Sequence, residues 1–560
     1  MKSLDLRKSG CLSVENSKRI TLLADEISLE YNSYIGRIIK DNHIKDLQWL
    51  LRVVCRNTYV SLIYDRMCRL ALLEDRLKDG KDFNSIMIDS GVMYSPVRQL
   101  LEKYNSQATI TTTSNSKYYK KFYFIYTLYS LIRSFYICFN FWLWPRFMKF
   151  TKTPTGSVYL LDTFILQNSL DKNFTFNDRY YTGLTQNIEK SKREKTWYLP
   201  TLHGFRYPWE WMNFFYQVSK SKHNILLKER WLTSTDYFFS IWKSLTLAHT
   251  VKKIPSWRGL DISLLVKEEI YLDRGSFSMT QALLIYRFFM RLKNKGIKVE
   301  GVLDWFENQN IDRALYLGVR KHYPKTRIKG YLGFVPEDYY LGLSPVEYEQ
   351  EGGVLPDEIL VIGDAFIPHV RRYLPQIHVS VAPAFRFKET INFQKDNSID
   401  KDTILLAMPM ILDEAKDIIH LARNAWRDKN FKWVIKLHPT IHKKYFQNII
   451  PESLDAQFEF TEDTIPNLLQ RTHLLVTSAS SVALEALICG TSVAILGNRS
   501  GPTINSLQGV VDKAYWSICY TSDDLIKTIS EDFNKVEIPL SSSEYFLEVS
   551  LDRVKKMMRY

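Results

Sequence analysis

Polar side chains follow a short apolar stretch at VIKLHPT, near the end of the chain. The segment presents His438 and Pro439, with Lys436 two positions before the histidine. Because proline cannot continue a strand ladder, it ends the strand and leaves the imidazole at the strand tip, where it can donate to a phosphate oxygen. Lys436, two residues before the histidine, adds a cation on the same face of the strand. We therefore expect an anion-binding strand end here.

The segment LLVTSASSVALEALICGTSVAILG joins an apolar strand to a helix through polar residues. Ser478 follows the strand, and Ser480 and Ser481 stand where the helix begins. Serines at these positions cap free N–H groups, and a helix N-terminus attracts phosphate. Glu485 lies about one turn into the helix, where it would accept ribose hydroxyls or hold the serines. The alternative is that the serines are ordinary helix caps.

A carboxylate on the other side of such a site would act as a general base that takes a proton from an acceptor hydroxyl. Glu307 and Asn308 directly follow the apolar strand VEGVLDW, and Arg313, within the next helix, is expected to pair with Glu307. Asp162, at the tip of SVYLLD, is the rival base. The alternative for Glu307 is a helix-start residue that the helix dipole favours.

Other charged residues are weaker candidates. Arg386 follows the strand in VSVAPAF at the expected domain junction, where it would neutralise a carboxylate or phosphate, or else be an ordinary surface arginine. Asp178 and Glu229 are further possible bases. No D-x-D follows a strand, so we predict no metal site and no cofactor. No dinucleotide-binding or Walker A spacing is present, which argues against oxidoreductases and kinases.

The elements that must position these residues are short Val/Ile/Leu strands, each followed by a helix. They form two series, which predicts two Rossmann-like, doubly wound α/β domains facing across a cleft, with ligands at the carboxyl ends of the strands. We predict a helical region at 1–83, a first domain at 84–375, a second at 376–525, and helices at 526–560 that brace the first domain.

An aromatic insertion at 117–150 interrupts the first series. It is almost wholly apolar, with cations at both ends and Arg133 near its centre. That arginine would be costly inside a bilayer, so we expect a helix or helical pair at the membrane interface. A buried helical hairpin and a true membrane span are the alternatives.

Composition limits the function further. The chain has 560 residues and a formal net charge of +14, which allows anionic lipids or phosphorylated substrates as partners. No nucleic-acid-binding signature accompanies the charge. The six cysteines are scattered without paired spacing, and the first residues are polar. We therefore expect a cytoplasmic protein, which the aromatic insertion would make peripheral at a membrane surface.

The K-L-H-P segment, together with T-S-x-S-S-x-x-x-E-A-L-x-x-G, resembles the donor half of GT-B glycosyltransferases of bacterial surface-polysaccharide synthesis. It looks most like enzymes that use CMP-activated ulosonic acids of the Kdo or sialic acid type. The element W-x-E-N-x-x-x-x-R-A is a second resemblance to this group. The resemblance implies that His438, Ser480 and Ser481 hold the phosphate of the cytidine nucleotide.

The polymerases that transfer polyol phosphates from CDP donors are similar but carry a histidine in a G-x-x-H-G turn, where this chain has Gly330, Tyr331, Leu332 and Gly333. We therefore expect metal-independent transfer of a sugar from a CMP donor to a lipid-linked or growing surface glycan such as O-antigen or capsule. The alternatives are a nucleotide-sugar epimerase, a CDP-polyol phosphotransferase, and a non-catalytic glycan-binding subunit.

Overall fold

The computed structural model describes residues 3–112, 119–396, 398–425, 431–438, 443–446, 458–531 and 540–559. Its strands form three parallel sheets, one small and two of six strands each. The small sheet contains β1 (Ser3–Asp5), β2 (Ser85–Ile88) and β3 (Thr109–Thr112). The first large sheet contains β4 (Ser157–Ile165), β5 (Thr196–Leu202), β6 (Lys298–Trp305), β7 (Arg327–Leu332), β8 (Glu358–Val361) and β9 (Val379–Val381). The second contains β10 (Thr403–Ala407), β11 (Lys432–Lys436), β12 (Phe458–Thr461), β13 (Thr472–Thr477), β14 (Ser492–Leu496) and β15 (Trp516–Cys519).

Helices connect and cover these strands. Those before the last strand of the first large sheet are α1 (Val14–Asp41), α2 (Ile63–Lys78), α3 (Tyr94–Lys103), α4 (Tyr119–Phe147), α5 (Lys190–Lys195), α6 (Pro208–Lys220), α7 (Ser234–Thr246), α8 (Ser263–Asp273), α9 (Phe277–Asn294), α10 (Asn310–His322), α11 (Glu347–Glu351) and α12 (Ile367–Val370). The others are α13 (Lys388–Ile391), α14 (Leu412–Ala425), α15 (Ile465–Leu469), α16 (Val482–Ile488), α17 (Ser522–Ser530), α18 (Ser542–Tyr545) and α19 (Leu551–Met557).

Both large sheets are doubly wound, which confirms the predicted α/β fold class. The strand order is β5-β4-β6-β7-β8-β9 in the first sheet and β12-β11-β10-β13-β14-β15 in the second. The chain reverses its direction of winding between β4 and β6, and again between β10 and β13. Strands β5, β10 and β14 are buried along their whole length, as expected when helices cover both faces. The two switch points are where ligands of such folds bind.

Two expected domain boundaries were wrong. Residues 84–112, assigned to the first domain, supply β2 and β3 of the small sheet, which pair with Ser3–Asp5. We call residues 3–112 the N-terminal module. The strand in 376–384, assigned to the second domain, is β9, the edge of the first sheet, where Ile359 pairs with Val379. A short apolar strand has the same pattern whichever sheet it joins, so its sequence does not indicate its partner.

The N-terminal module contacts both large sheets. Toward the first, fully buried Arg56 forms an ion pair of 2.7 Å with Glu349, which follows β7 in the chain. Toward the second, the Leu12 N–H donates to the carbonyl of Arg499 at 2.7 Å, and the Thr503 N–H donates to Thr21 Oγ1 at 3.0 Å. The module therefore bridges the two halves of the protein.

The C-terminal residues 540–559 lie against the first sheet. The Leu547 N–H donates to the carbonyl of Ile362 at 2.7 Å, and the Ala384 N–H donates to the carbonyl of Leu547 at 2.8 Å. A Cβ on Gly363 would lie 2.2 Å from the backbone oxygen of Tyr545, so only glycine permits this approach.

The aromatic insertion forms one helix, α4, among the residues that the structure describes. Phe122–Phe147 is the one helical stretch in those residues that is long and apolar enough to cross a membrane by length and composition.

Candidate functional site

The first sheet places an aromatic cluster at its switch point. Trp305, the last residue of β6, packs edge-on against Tyr180, with ring centroids 4.6 Å apart. Tyr181 and Tyr331 pack against the same indole, and Phe334 lies 6.0 Å away. A Cβ on Gly333 would come within 2.4 Å of the indole, so the loop after β7 can pass here only as glycine. We call these packed rings, at the carboxyl end of the sheet, the aromatic cluster.

Glu307 lies beside the aromatic cluster and accepts a hydrogen bond at each carboxylate oxygen. Trp305 Nε1 donates to Glu307 Oε1 at 3.0 Å, and Gln309 Nε2 donates to Oε2. The side chain is half-buried. Burial raises the pKa of Glu307, and the two donors and the charge of Arg386 partly offset this rise. A fixed carboxylate with a raised pKa is a stronger proton acceptor than an unperturbed one, which suits a general base.

The start of α10 positions the backbone of this carboxylate. The buried Asp312 side chain accepts the N–H of Glu307 at 3.1 Å and that of Gln309 at 2.9 Å. Aspartate at this position satisfies N–H groups that the first helical turn leaves free. The loop from 306 to 309 therefore has a fixed backbone path beside the switch point.

Arg386 connects the two sheets electrostatically. It follows β9, is exposed, and its guanidinium lies 5.9 Å from the centre of the Trp305 ring. Its positive charge lowers the pKa of Glu307 from the first sheet and of His438 and Glu485 from the second. One cation thus faces titratable groups of both sheets, in the position expected for neutralising an anion between them.

The second sheet contributes His438 and Lys436 at the end of β11. His438 is half-buried, and burial, followed by the charge of Arg386, lowers its pKa. The lowered pKa favours the neutral imidazole. Lys436 Nζ lies 4.0 Å from a carboxylate oxygen of the fully exposed Glu462. Pro439 lies outside the described residues.

Glu485 projects from α16 toward the junction. Its carboxylate accepts a hydrogen bond of 2.5 Å from Thr390 Oγ1, in the segment that links the two sheets. Burial raises the pKa of Glu485 to about 7, and Thr390 and Arg386 act in the opposite direction. This carboxyl therefore changes its charge near neutral pH.

The three serines have separate partners. Ser478 Oγ donates to Glu414 Oε2 at 2.8 Å, and these two side chains line a cavity of about 10 Å³ at the second switch point. Ser480 Oγ accepts the N–H of Val482, two residues later, at 3.3 Å, a local turn contact that precedes α16. Ser481 Oγ accepts the N–H of Val335, from the first sheet's loop, at 3.3 Å. In this structure Ser481 thus bonds across the cleft.

The expectation that Asn308 and Arg313 support Glu307 in the cleft was wrong. Both side chains are fully buried in the cluster that joins the N-terminal module to the first sheet. Arg313 pairs with Glu349 and donates to Asn308 Oδ1 at 3.1 Å, while Asn308 Nδ2 donates to the carbonyl of Gly342 at 2.8 Å. Asn308 has a φ of +53°, a left-handed conformation that is uncommon for a residue other than glycine.

Asp162 was expected at a strand tip, but β4 continues to Ile165 and leaves Asp162 within the strand, 4% exposed. Burial raises its pKa well above the usual range, and the charges of Asp312 and Glu307 act in the same direction. Of the weaker rivals, Asp178 accepts the hydroxyl of Tyr198 and nearby backbone N–H groups at 2.9 Å. Glu229 is fully buried beside Lys228, 3.0 Å away.

No group of three or more His, Cys, Asp or Glu in metal-binding geometry occurs in the part of the chain that the structure describes. All six cysteines are free.

Sequence reasoning missed several contributors to this site. Gln309 donates to Glu307 but occupies an unspecified position of the W-x-E-N element, and Tyr180 and Phe334, which pack on Trp305, belong to no recognised motif. Trp305 was part of the W-x-E-N element, and its spacing of two residues from Glu307 was the available signal for a Trp–Glu hydrogen bond.

No protein-family model matches this chain, and no curated protein sequence is significantly similar to it. Solved structures with a similar architecture include UDP-GlcNAc 2-epimerase of Methanocaldococcus jannaschii in complex with UDP-GlcNAc and UDP (12% identity, TM-score 0.38, 72% of this chain and 98% of that one). Another UDP-N-acetylglucosamine 2-epimerase has 11% identity and a TM-score of 0.40, over 72% and 95% of the two chains. The calicheamicin glycosyltransferase CalG4 has 11% identity and a TM-score of 0.38, over 72% and 94%.

Proposed function

We propose that the protein is a glycosyltransferase of GT-B architecture, which transfers a sugar from a nucleotide-activated donor bound between the two large sheets. The observation that carries the proposal is the position of Arg386. Its charge acts on the held carboxylate of Glu307 on one side and on His438 and Glu485 on the other. The cleft thus combines a base, a cation and a neutral imidazole donor.

Each group has a role in the proposed reaction. Glu307 takes the proton from the acceptor hydroxyl as its oxygen bonds to the anomeric carbon of the donor sugar. The bond from that carbon to the phosphate oxygen breaks, and the nucleotide leaves with the electron pair. Arg386, Lys436 and an N–H of His438 stabilise the phosphate charge, so this mechanism requires no metal.

We further propose a CMP-activated ulosonic acid as the donor. The sequence resemblance at K-L-H-P and at the paired serines supports cytidine. An ulosonic acid carries a carboxylate in addition to the phosphate, and the exposed guanidinium of Arg386 suits a bidentate contact with it. The proposed acceptor is a lipid-linked or growing surface glycan at the cytoplasmic face of the inner membrane.

Thermal-shift measurements with CMP, CDP, UDP and GDP test the donor site. We expect CMP to stabilise the protein most, because a ligand that binds only the folded state raises the unfolding temperature. Stabilisation by UDP or GDP alone would overturn the cytidine assignment. No response to any of the four nucleotides would overturn the donor site itself.

Two histidine variants test whether CMP binds at His438. His438→Ala should weaken the CMP-induced shift, whereas His378→Ala should leave it unchanged, because His378 is exposed beside the amino end of β9, opposite the cleft. With a CMP-ulosonic acid and an acceptor glycan, Glu307→Gln should keep the shift but lose transfer. Conversion of the donor without any acceptor would instead indicate an epimerase or a hydrolase.

A further inference from the structure

Three neighbouring helices of the first domain expose large apolar side chains. α4 contacts both α6 and α7. α4 exposes Phe124 and Ile132, α6 exposes Trp209, and α7 exposes Phe238 and Trp242, each by more than half. We call the exposed side of these helices the aromatic face. An apolar surface of this extent on a folded domain indicates an interaction site.

The opposite side of α4 belongs to the protein core. Ile137, Cys138 and Phe141 are buried in the same core cluster as the first sheet. Ser134 Oγ donates to the carbonyl of Gly275 at 2.9 Å, and the Tyr123 hydroxyl donates to the buried Glu268. To cross a bilayer, α4 would have to leave all of these contacts. Only the exposed side of α4 is therefore available to contact another surface.

The composition of the aromatic face matches the interfacial zone of a membrane. Beside its phenylalanines it exposes tryptophans and tyrosines, including Tyr129 and Tyr216. These side chains have an apolar ring and a polar tip, and they collect at the depth of lipid headgroups.

Charge distinguishes a lipid surface from a second copy of the chain. Residues 117–152 contain seven basic residues and no acidic residue. Arg133 and Arg146 are exposed on α4, and Arg146 stacks over Trp142 at 4.6 Å. In a symmetric dimer the same cations would face each other, whereas anionic headgroups would neutralise them. We propose that the aromatic face docks the protein onto an anionic lipid bilayer.

The direction of α4 relates this face to the cleft. α4 runs parallel to α6, because the Tyr136 hydroxyl donates to the carbonyl of Arg206 and Phe141 packs on Trp211 with ring centroids 5.0 Å apart. α6 begins just after the carboxyl end of β5. The part of α4 before Tyr136, which is about 25 Å long, therefore points past that end. The bilayer lies beside the same sheet end that carries Glu307.

This placement deepens the proposed function, because an acceptor anchored in the bilayer would reach the cleft without leaving the membrane. The docking itself does not depend on it. Vesicle binding requires no nucleotide, so failure to bind vesicles with an intact CMP response would remove only the docking proposal. The reverse result would remove only the donor site.

Co-sedimentation of the full chain with vesicles tests the proposal. We expect binding to phosphatidylcholine vesicles that contain phosphatidylglycerol, weaker binding to pure phosphatidylcholine, and release at high salt. The variant Trp209→Ser/Phe238→Ser/Trp242→Ser should bind the anionic vesicles at least tenfold more weakly. These side chains are 61%, 69% and 58% exposed, so the fold should tolerate their loss.

Two control variants separate apolar exposure from charge. Leu22→Ser/Leu29→Ser removes residues of similar exposure from α1 and should bind like the unchanged protein. Arg133→Gln/Arg146→Gln should reduce binding to anionic vesicles and leave binding to neutral ones unchanged.

Several results would overturn the proposal. One is a protein that stays in the supernatant with both kinds of vesicle. Another is a triple variant that binds as well as the unchanged protein. A dimer in light scattering that the triple variant converts to a monomer would identify a second copy as the occupant. Resistance to extraction by alkaline carbonate would identify a membrane span.

Discussion

Trp305→Phe removes one hydrogen bond from the proposed base and keeps a ring in its place. The indole Nε1–H donates to Glu307 Oε1 at 3.0 Å, and the ring packs against Tyr180, Tyr181 and Tyr331. This hydrogen bond favours the ionised carboxylate and lowers its pKa. Its loss should therefore raise the pKa of Glu307 further.

The size of this change follows from the geometry. A hydrogen bond to a charged group contributes about 1.5–3 kcal/mol, and one pKa unit corresponds to about 1.4 kcal/mol, which gives a rise of about 1–2 units. Glu307 is half-buried and keeps the second donor, Gln309. We therefore expect a rise at the lower end, about one pKa unit.

The assay is the pH dependence of kcat/KM for nucleotide release from the donor in the presence of acceptor. A general base must be ionised, so activity is lost as the pH falls through its pKa. In Trp305→Phe the acidic limb should move to higher pH by about one unit while the alkaline limb stays in place. Glu307→Gln should reduce kcat by about 10²- to 10⁴-fold.

Tyr331→Phe is the matched control. It removes a buried hydroxyl that donates to the carbonyl of Pro383 at 2.7 Å, in the same aromatic cluster but without contact to Glu307. Its acidic limb should not move. An acidic limb that stays in place in Trp305→Phe, or full turnover by Glu307→Gln, would show that Glu307 is not the base.

Three further changes test other parts of the structure. Glu349→Gln leaves two buried arginines without their carboxylate and should destabilise the protein by about 3–5 kcal/mol, measured as a lower thermal midpoint. The control Glu351→Gln, at an exposed position, should leave the midpoint unchanged. Equal midpoints for the two variants would contradict the ion-pair argument. Burial raises the pKa of Glu485 to about 7, so this carboxyl ionises as the pH rises through neutrality. Because the carboxylate repels the nucleotide phosphate, nucleotide affinity in calorimetric titrations should fall over the same pH range. Glu485→Gln should flatten that dependence, and an unchanged slope would place Glu485 outside the site. Gly363→Ala should free the C-terminal residues for limited proteolysis, unlike Gly342→Ala, where a Cβ has no neighbour nearer than 3.4 Å; equal resistance would refute the close approach.

Local patterns in the sequence predicted the two doubly wound sheets, because buried parallel strands and the helices between them have distinct periodicities. They could not assign every strand to its sheet. Ser85–Ile88 pairs with Ser3–Asp5, a strand of three residues that is too short to show a period. Val379–Val381 is the edge strand of the first large sheet, although in the sequence it directly precedes the strands of the second.

For side chains near the site, too, local sequence predicted positions but not distant partners. The position of Glu307 just after β6 follows from local sequence. The partners of Arg313 and Asn308 do not, because Glu349 is 36 residues away from Arg313 and the second arginine of the cluster, Arg56, is 293 residues away from Glu349. A polar residue at a helix start has the same pattern whether it faces a cleft or a buried ion pair. Only the tertiary contacts decide between these two environments.

The separation between Arg56 and Glu349 also constrains how the protein is made. A ribosome that adds about 5–20 residues per second needs roughly 15–60 s to synthesise the 293 residues between them. During that time the N-terminal module has a guanidinium whose buried counter-charge does not yet exist. The module therefore cannot complete its native packing during its own synthesis, and Arg56 finds its partner only after α11 has been made.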